Sequence, residues 1–396
     1  MTAAPPLRVA LIGHGFMGAA HSQAWRVAPR FFDLPLRPEM ALLVGRTGAA
    51  ESAARLGWAE STADWREAVA RDDIDLVDIV TPGDTHAEIA IAALEAGKHV
   101  LCEKPLANSL GEAERMASAA AAAQQRGVLA MCGFTYRRVP AILEARRLVR
   151  EGAIGDVREV RAQYLQDWLS DPAGPMTWRL DRAKAGSGSL GDIGAHIIDA
   201  AEFVAGDRIA SVSGTLETYV RQRPILAEQR GLGGVASDRL GEVTVDDAAW
   251  FTTRFASGAM GSFTATRYAT GRKNALRLEV SGTRGALAFD LERLNELEFY
   301  DATEPSDRLG FRRILVTEPE HPFAANWWPT GHALGYEHAF SHQVVDFVTD
   351  IAERREPEPS FADALHVQRV LAAVEGSAGA GSAWVPTEEI RGDAPA

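Results

Sequence analysis

Asp192 and His196 stand four residues apart in the segment Gly186-Ser-Gly-Ser-Leu-Gly-Asp-Ile-Gly-Ala-His-Ile-Ile-Asp199. On a helix that spacing puts both side chains on one face, about a turn apart, where an imidazole can move a proton and a carboxylate can orient a polar group. The apolar series Ile193, Ile197, Ala201 and Val204 runs beside them at helical spacing. Burying that stripe in a core would leave the polar pair facing a pocket. A third group, Lys104, sits far off in Cys102-Glu-Lys-Pro105 and could stabilise negative charge on an oxygen. Taken alone, the first pair reads equally as a surface Asp–His contact and the second motif as a surface lysine. The elements that carry them decide.

The first of these elements is at the N-terminus. The apolar run Leu7-Arg-Val-Ala-Leu-Ile12 leads into Gly13-His-Gly-Phe-Met-Gly18 and then into a small-residue helical run from Ala19. Strand, Gly-x-Gly-x-x-Gly turn and helix in that order form a dinucleotide-binding arrangement. Gly13 allows the tight turn, Gly15 lets the backbone approach a pyrophosphate, and Gly18 lets helix and strand pack closely. The helix start, with Phe16 and Met17, offers free N–H groups and positive dipole to phosphate.

Apolar runs at Met40–Val44, Leu76–Val80 and His99–Cys102 read as further buried parallel strands. A helix over Thr85–Ala96 ends at Gly97. Residues 26–39, with their prolines and phenylalanines, read as an insertion. Ligands of such a sheet lie beyond the carboxyl ends of its strands, which makes Thr81, Pro82, His86, Glu103 and Lys104 candidates for the cofactor wall. At the end of the second strand, where a carboxylate would accept the ribose hydroxyls of NAD, stands Val44-Gly-Arg-Thr47. Arg46 could pair with a 2′-phosphate and Thr47 could hydrogen-bond it, favouring NADP. Arg46 could equally stack on adenine.

Past residue 150 the pattern changes. Asp156–Trp168, Ala249–Phe255, Ala259–Arg267, Leu276–Ser281 and Ala286–Leu291 read as strands of a mainly antiparallel sheet, joined by turns such as Ser257-Gly258 and Gly282-Thr-Arg-Gly285. Residues 221–243 and 303–331 read as long loops. Tyr336–Glu353 and Phe361–Ser377 return to helix. The fold expected is α/β: a dinucleotide-binding domain over residues 1–135, and a substrate-binding and oligomerisation domain with a large open sheet over 136–396. The C-terminal helices could return to the first domain.

Composition narrows the classes. With 41 basic against 54 acidic residues the net charge is −13, and no basic run stands out, which disfavours nucleic acid and anionic membrane as partners. The two cysteines, Cys102 and Cys132, lack metal-ligand spacing, so neither a disulfide framework nor a metal is expected. No uncharged apolar run approaches the length of a membrane span, and a cytoplasmic protein is expected.

The glycine turn, Glu-Lys-Pro about 90 residues later, and Gly-Asp-x-Gly-x-His-x-x-Asp near residue 190 together resemble the Gfo/Idh/MocA oxidoreductases, the family of glucose–fructose oxidoreductase and inositol dehydrogenase. The resemblance spans nearly the whole chain. It implies an N-terminal Rossmann domain, a C-terminal α/β domain whose sheet joins two or four copies, a cis peptide before Pro105, and catalytic roles for Lys104, Asp192 and His196. Tyr164-Leu-Gln-Asp-Trp168, Asp171-Pro172, Trp178-Arg179 and Ala185-Gly-Ser-Gly188 look most like the branch that oxidises the 3-hydroxyl of an anhydro-glucose with a nicotinamide cofactor. That makes Gln166, Trp168, Arg179 and Tyr336 candidates for the substrate site, and Trp178 and Arg179 for the nicotinamide wall. The expected function is NAD(P)-dependent oxidation of a ring hydroxyl of a neutral sugar. A cyclitol dehydrogenase and a non-catalytic nucleotide sensor are the alternatives, and the presence of all three polar residues argues against the sensor. Whether His196 or Lys104 takes the proton stays open.

Overall fold

The computed structural model describes residues 4–230 and 233–388. β1 (Pro6–Ile12) leads through the glycine turn into α1 (Phe16–Phe31), β2 (Arg37–Val44), α2 (Ala49–Leu56), β3 (Glu60–Thr62) and α3 (Trp65–Ala70). Then come β4 (Leu76–Ile79), α4 (His86–Glu95), β5 (His99–Cys102), α5 (Leu110–Gln124) and β6 (Ala130–Cys132). α6 (Pro140–Arg150), β7 (Val157–Leu165) and α7 (Arg182–Ala185) precede a π turn, Leu190–Gly194, that runs into α8 (Ala195–Ala205). The strands β8 (Ile209–Glu217), β9 (Gln222–Arg230), β10 (Gly233–Glu242), β11 (Ala248–Phe255) and β12 (Met260–Thr266) follow. After them come β13 (Ala275–Gly282), β14 (Gly285–Asp290), β15 (Glu296–Asp301) and β16 (Arg312–Leu315). α9 (Tyr336–Glu353), α10 (Phe361–Gly379) and the short β17 (Val385–Pro386) close the described chain.

These elements form two compact units. One takes in residues 4–135 and 336–365, and the other residues 136–335 and 366–388. The first holds a six-stranded parallel sheet in the order β3-β2-β1-β4-β5-β6. Strand order reverses between β1 and β4, and a sheet of this kind binds ligand at that switch point. Its strands read as continuous apolar runs because both faces are covered: Val9, Leu11, Leu43, Leu76 and Leu101 are buried with Trp25 of α1 and Phe347 of α9. The stretch 26–39 is no insertion. α1 continues through Pro29 to Phe31, and β2 begins at Arg37. Burial of Trp25, Ala28 and Phe32 outweighs the proline near the helix end.

The second unit is built on a nine-stranded sheet in the order β16-β15-β14-β13-β7-β12-β11-β8-β17. Among the described residues its neighbours run antiparallel except for β7 with β12. α8 packs against β7 and β13 and beside α6. Its stripe Ile193, Ile197, Ala201 and Val204 is buried. Residues 221–243, expected as a loop, are largely the antiparallel ribbon β9–β10. A two-stranded ribbon has no buried face to impose apolar alternation, so its sequence reads as irregular. The ribbon is anchored by the buried Arg223, which donates to the carbonyls of Leu169 and Asp171 and to the Tyr268 hydroxyl. Within 303–331, also expected as loop, β16 pairs with β15. Among the described residues no helix is long and apolar enough to cross a membrane.

One polar knot lies inside the first unit. The imidazole of His21 on α1 donates from Nδ1 to both oxygens of Asp78 on β4, at 3.0 and 2.9 Å, and from Nε2 to Glu103 just past β5, at 3.1 Å. The Trp25 indole also donates to Asp78, at 2.7 Å, and the Phe340 ring of α9 closes the fourth side, 5.5 Å from the imidazole. Burial opposes a charge on His21, but the two carboxylates outweigh it and push the pKa from 6.5 up to about 10. A pKa raised on folding stabilises the protein fully below the unfolded value and ceases to do so as pH climbs through the folded one. We therefore expect the stability difference between the protein and its His21→Gln variant to be constant below about pH 6.5 and to shrink from there toward pH 10. Urea unfolding at a series of pH values measures it. A difference that stays flat across that window would mean that His21 is not charged in the folded state.

Candidate active site

In the first unit the glycine turn has the geometry that a dinucleotide needs. Gly13 sits at φ +107°, and a Cβ there would press on the Val80 carbonyl at 3.0 Å. A Cβ on Gly18 would meet the Gly13 carbonyl at 2.6 Å, while one on Gly15 would meet nothing within 4 Å. Close packing thus accounts for two of the glycines, and open space lies beside the third. No side chain caps the start of α1 and no acidic residue occupies its first turn, which leaves N–H groups and dipole for phosphate. The residues present therefore fit a bound dinucleotide. Phe16 is exposed and stacks on Tyr336, ring centroids 6.2 Å apart, whereas Met17 packs against the core. Tyr336, expected among the substrate residues, is thus placed beside the glycine turn.

Arg46 and Thr47 lie exposed beyond the end of β2. Gly45 is needed before them because the His14 ring occupies the space that a side chain would fill, with Nδ1 3.0 Å from the Ser52 hydroxyl. Beyond β4, Thr81 accepts from the Thr85 hydroxyl at 2.7 Å, and Pro82 is exposed. His86 turns inward. Its ring nitrogens lie 2.9 Å from the Thr81 carbonyl and 3.1 Å from that of Pro105.

Glu103 also turns inward, only 5% exposed. One carboxylate oxygen accepts the hydrogen bond from His21 Nε2 and the other accepts the backbone N–H of Lys104 at 3.1 Å. The peptide between Lys104 and Pro105 is cis. Lys104 is half-buried and is braced on both sides, by Glu103 before it and by the His86–Pro105 contact after it.

In the second unit Asp192 and His196 do not lie on a regular α-helix. The turn carrying Asp192 is a π turn, with the Ala195 N–H bonded to the Leu190 carbonyl five residues back, and α8 begins only at Ala195. Such turns recur at functional sites because they re-aim side chains without ending the helix. The buried Asp246 fixes this one: its carboxylate accepts the N–H groups of Gly188 and Leu190 and the Ser189 hydroxyl, at 2.7, 2.8 and 2.7 Å. Gly188 has to be glycine, since a Cβ would overlap the Asp246 backbone. Asp199, one turn beyond His196, is bound bidentately by buried Arg137.

The Asp192 carboxylate accepts from Nη2 of Arg267 at 3.0 Å, and the same nitrogen reaches the Gly188 carbonyl at 2.8 Å. Arg267 is 1% exposed, with its guanidinium 5.4 Å from the Trp168 ring centre. Arg179 lies 4.5 Å from the Trp178 ring centre. Burial lowers the pKa of Arg179, nearby Asp192 opposes the shift and Arg267 adds to it, so these three charges share one neighbourhood. His196 is flanked by Tyr136 and Tyr164, ring centroids 4.7 and 5.8 Å away. A hydrogen-bonded row continues from Tyr136 to Tyr164 (2.9 Å) and on to Asn274 (2.7 Å). Gln166 donates to Asn274 at 2.8 Å and accepts from the Trp168 indole at 2.9 Å.

The candidates Asp192, His196, Gln166, Trp168, Trp178 and Arg179 thus belong to one unit, and the glycine turn, Lys104 and Tyr336 to the other. Sequence reasoning missed His21, Asp78, Asp246, Arg267 and Asn274. The Asp246-Asp247 doublet just ahead of an apolar strand was a usable signal for one of them, because acidic pairs are uncommon where the chain enters a core. The others act through contacts distant in sequence.

The profile described as "Oxidoreductase family, NAD-binding Rossmann fold" matches residues 7–134, and that of the GFO/IDH/MocA C-terminal domain matches residues 142–288. Levoglucosan dehydrogenase of Pseudarthrobacter phenanthrenivorans is 42% identical over 394 residues, covering 97% of this chain and 99% of its own. The crystal structure of an oxidoreductase domain protein from Kribbella flavida aligns with a TM-score of 0.92 at 62% identity, covering 97% of this chain and 99% of its own. A levoglucosan dehydrogenase in complex with NADH and levoglucosan aligns at 0.90 and 41% identity, covering 97% of this chain and all of its own. With both parts matched and relatives aligned end to end, the chain belongs to the Gfo/Idh/MocA family of NAD-binding oxidoreductases.

Proposed function

We propose that the protein is a nicotinamide-dependent dehydrogenase that oxidises a ring hydroxyl of a neutral sugar or anhydro-sugar, with the 3-hydroxyl of levoglucosan as the leading substrate. The observation that carries this reading is similarity to levoglucosan dehydrogenase along almost the whole of both chains. The charge pattern supports a neutral substrate. Arg267 places its partnered donors on Asp192 and Gly188, and its remaining nitrogens, Nε and Nη1, are buried away from solvent. Arg179 lies on Trp178. The arginines near Asp192 therefore do not form an open phosphate cradle.

A bound nicotinamide cofactor would supply the hydride acceptor. Oxidation also requires that the hydroxyl proton leave, and His196, with an imidazole that ordinarily titrates near ~6.5, is matched to accept it. Lys104 offers an ammonium donor suited to stabilising negative charge that develops on an oxygen. Asp192, held by Arg267, orients neighbouring hydroxyls. Gln166 and Trp168 offer a polar group and an aromatic face to the sugar ring, whose C–H face suits such a surface. The outward face of the nine-stranded sheet, carrying Arg161, Gln163, Trp250 and Thr252, is the surface through which two or four copies would join.

The test is kcat/KM for levoglucosan, glucose, myo-inositol and glucose 6-phosphate with each cofactor, followed by absorbance of the reduced nicotinamide. The expected order has levoglucosan first and the phosphorylated sugar last. Preference for glucose 6-phosphate would reject the substrate reading. Lys104→Met and His196→Ala are each expected to lower kcat by about 100-fold or more while NADH still binds. Near-normal turnover in His196→Ala would remove it as the base.

The finer choice of cofactor turns on Arg46. Exposed beyond β2 where a carboxylate would select NAD, it supports affinity for a 2′-phosphate. Arg46→Ala should then weaken NADP binding by roughly 1.5–3 kcal/mol, the usual worth of a hydrogen bond to a charged group, and spare NAD. Equal losses for the two cofactors in a fluorescence titration would leave adenine stacking as the role of this arginine.

A further inference from the structure

We propose that His21 is a positioning residue for Lys104, acting through Glu103 to hold the lysine backbone at the exit of β5. The proposal rests on the reading of Lys104 given above. A histidine that merely filled the core would need one partner for its single N–H. His21 has a carboxylate on each ring nitrogen, Asp78 at 2.9 Å and Glu103 at 3.1 Å, so both nitrogens donate and the ring is cationic. The Glu103 carboxylate is confined as well. It packs against Gly133, where a Cβ would come within 2.8 Å of Oε1, and its second oxygen accepts the Lys104 N–H at 3.1 Å. Any displacement of this carboxylate would therefore move the peptide that carries the lysine.

His21 lies on α1, the helix that follows the glycine turn, so the same ring ties that helix to the lysine loop. Groups facing it come from four elements: Trp25 on α1, Asp78 on β4, Glu103 after β5 and Phe340 on α9. Of these only Asp78 and Glu103 carry charge. His86 clamps the other side of the lysine through the Pro105 carbonyl.

The experiment compares kcat for levoglucosan and NAD, NADH affinity by fluorescence and thermal midpoint in His21→Gln, Glu103→Gln, Lys104→Met and the double variant His21→Gln/Lys104→Met. Loss of alignment in a catalytic group typically costs about tenfold to a hundredfold in rate. His21→Gln should show a fall of that size with NADH affinity retained. In the Lys104→Met background it should have no further effect, because a residue acting only through the lysine has nothing left to position. An equal fall in both backgrounds, or no fall in either, overturns the proposal. Should His21→Gln fail to fold, Glu103→Gln, which keeps the shape of the side chain, is judged by the same two comparisons. Full turnover in Lys104→Met alone would instead show that the assignment of the lysine is wrong.

Discussion

Two carboxylates, Asp78 on β4 and Glu103 just past the adjacent β5, lie buried, and that placement is stable only because a cation stands between them. An ionised carboxylate taken out of water without a partner costs more than a domain of this size can absorb. His21 supplies the charge, the Trp25 indole adds a donor to Asp78, and the Lys104 N–H adds one to Glu103. In consequence α1, β4 and the loop after β5 are fixed relative to one another by directional bonds as well as by apolar packing. These elements lie beside the switch point of the sheet, so the strand exit that carries the lysine is held by an electrostatic requirement, while the glycine turn is shaped by close backbone packing.

The second unit uses the same device. Asp246 replaces the missing main-chain partners of the turn before α8, satisfying the N–H groups of Gly188 and Leu190 and binding the Ser189 hydroxyl as well. Arg267 holds Asp192 on the turn, and Arg137 holds Asp199 on the helix that follows. The bulky stripe beside them, Ile193, Ile197 and Val204, supplies the hydrophobic anchoring. The irregular π turn is therefore over-determined, by charged bonds and by close packing together. A segment held in this way can present an imidazole at a fixed angle without strain being released elsewhere.

How much of this was legible in the sequence follows from the range of each interaction. The glycine turn was readable because its requirement is local: positive φ at Gly13 and close approach at Gly18 constrain those residues whatever the rest of the chain does. The buried parallel strands and the stripe of α8 were readable from periodicity. The β9–β10 ribbon was not, since a ribbon without a buried face carries no alternation, and the continuation of α1 past Pro29 was masked by a proline that tertiary packing tolerates. In the site, Lys104, Asp192 and His196 stood out by motif, whereas their supports did not. His21 and Glu103 are 82 residues apart, and Arg267 lies 75 residues from Asp192.

That asymmetry has a chemical reason. Binding a dinucleotide is largely the work of backbone N–H groups and of space left by absent side chains, so the sequence records it as glycine at fixed spacing. Moving a proton depends on the orientation and charge of a few side chains, and those are set by partners the fold brings in from elsewhere. Glu103 illustrates the difference. As part of Glu-Lys-Pro it is naturally read as a ligand-facing group, yet its two oxygens are already committed, one to a buried cation and one to the peptide of the lysine. Its position in the motif is then best understood as a bracket: the carboxylate faces inward so that the neighbouring ammonium group can be held in place.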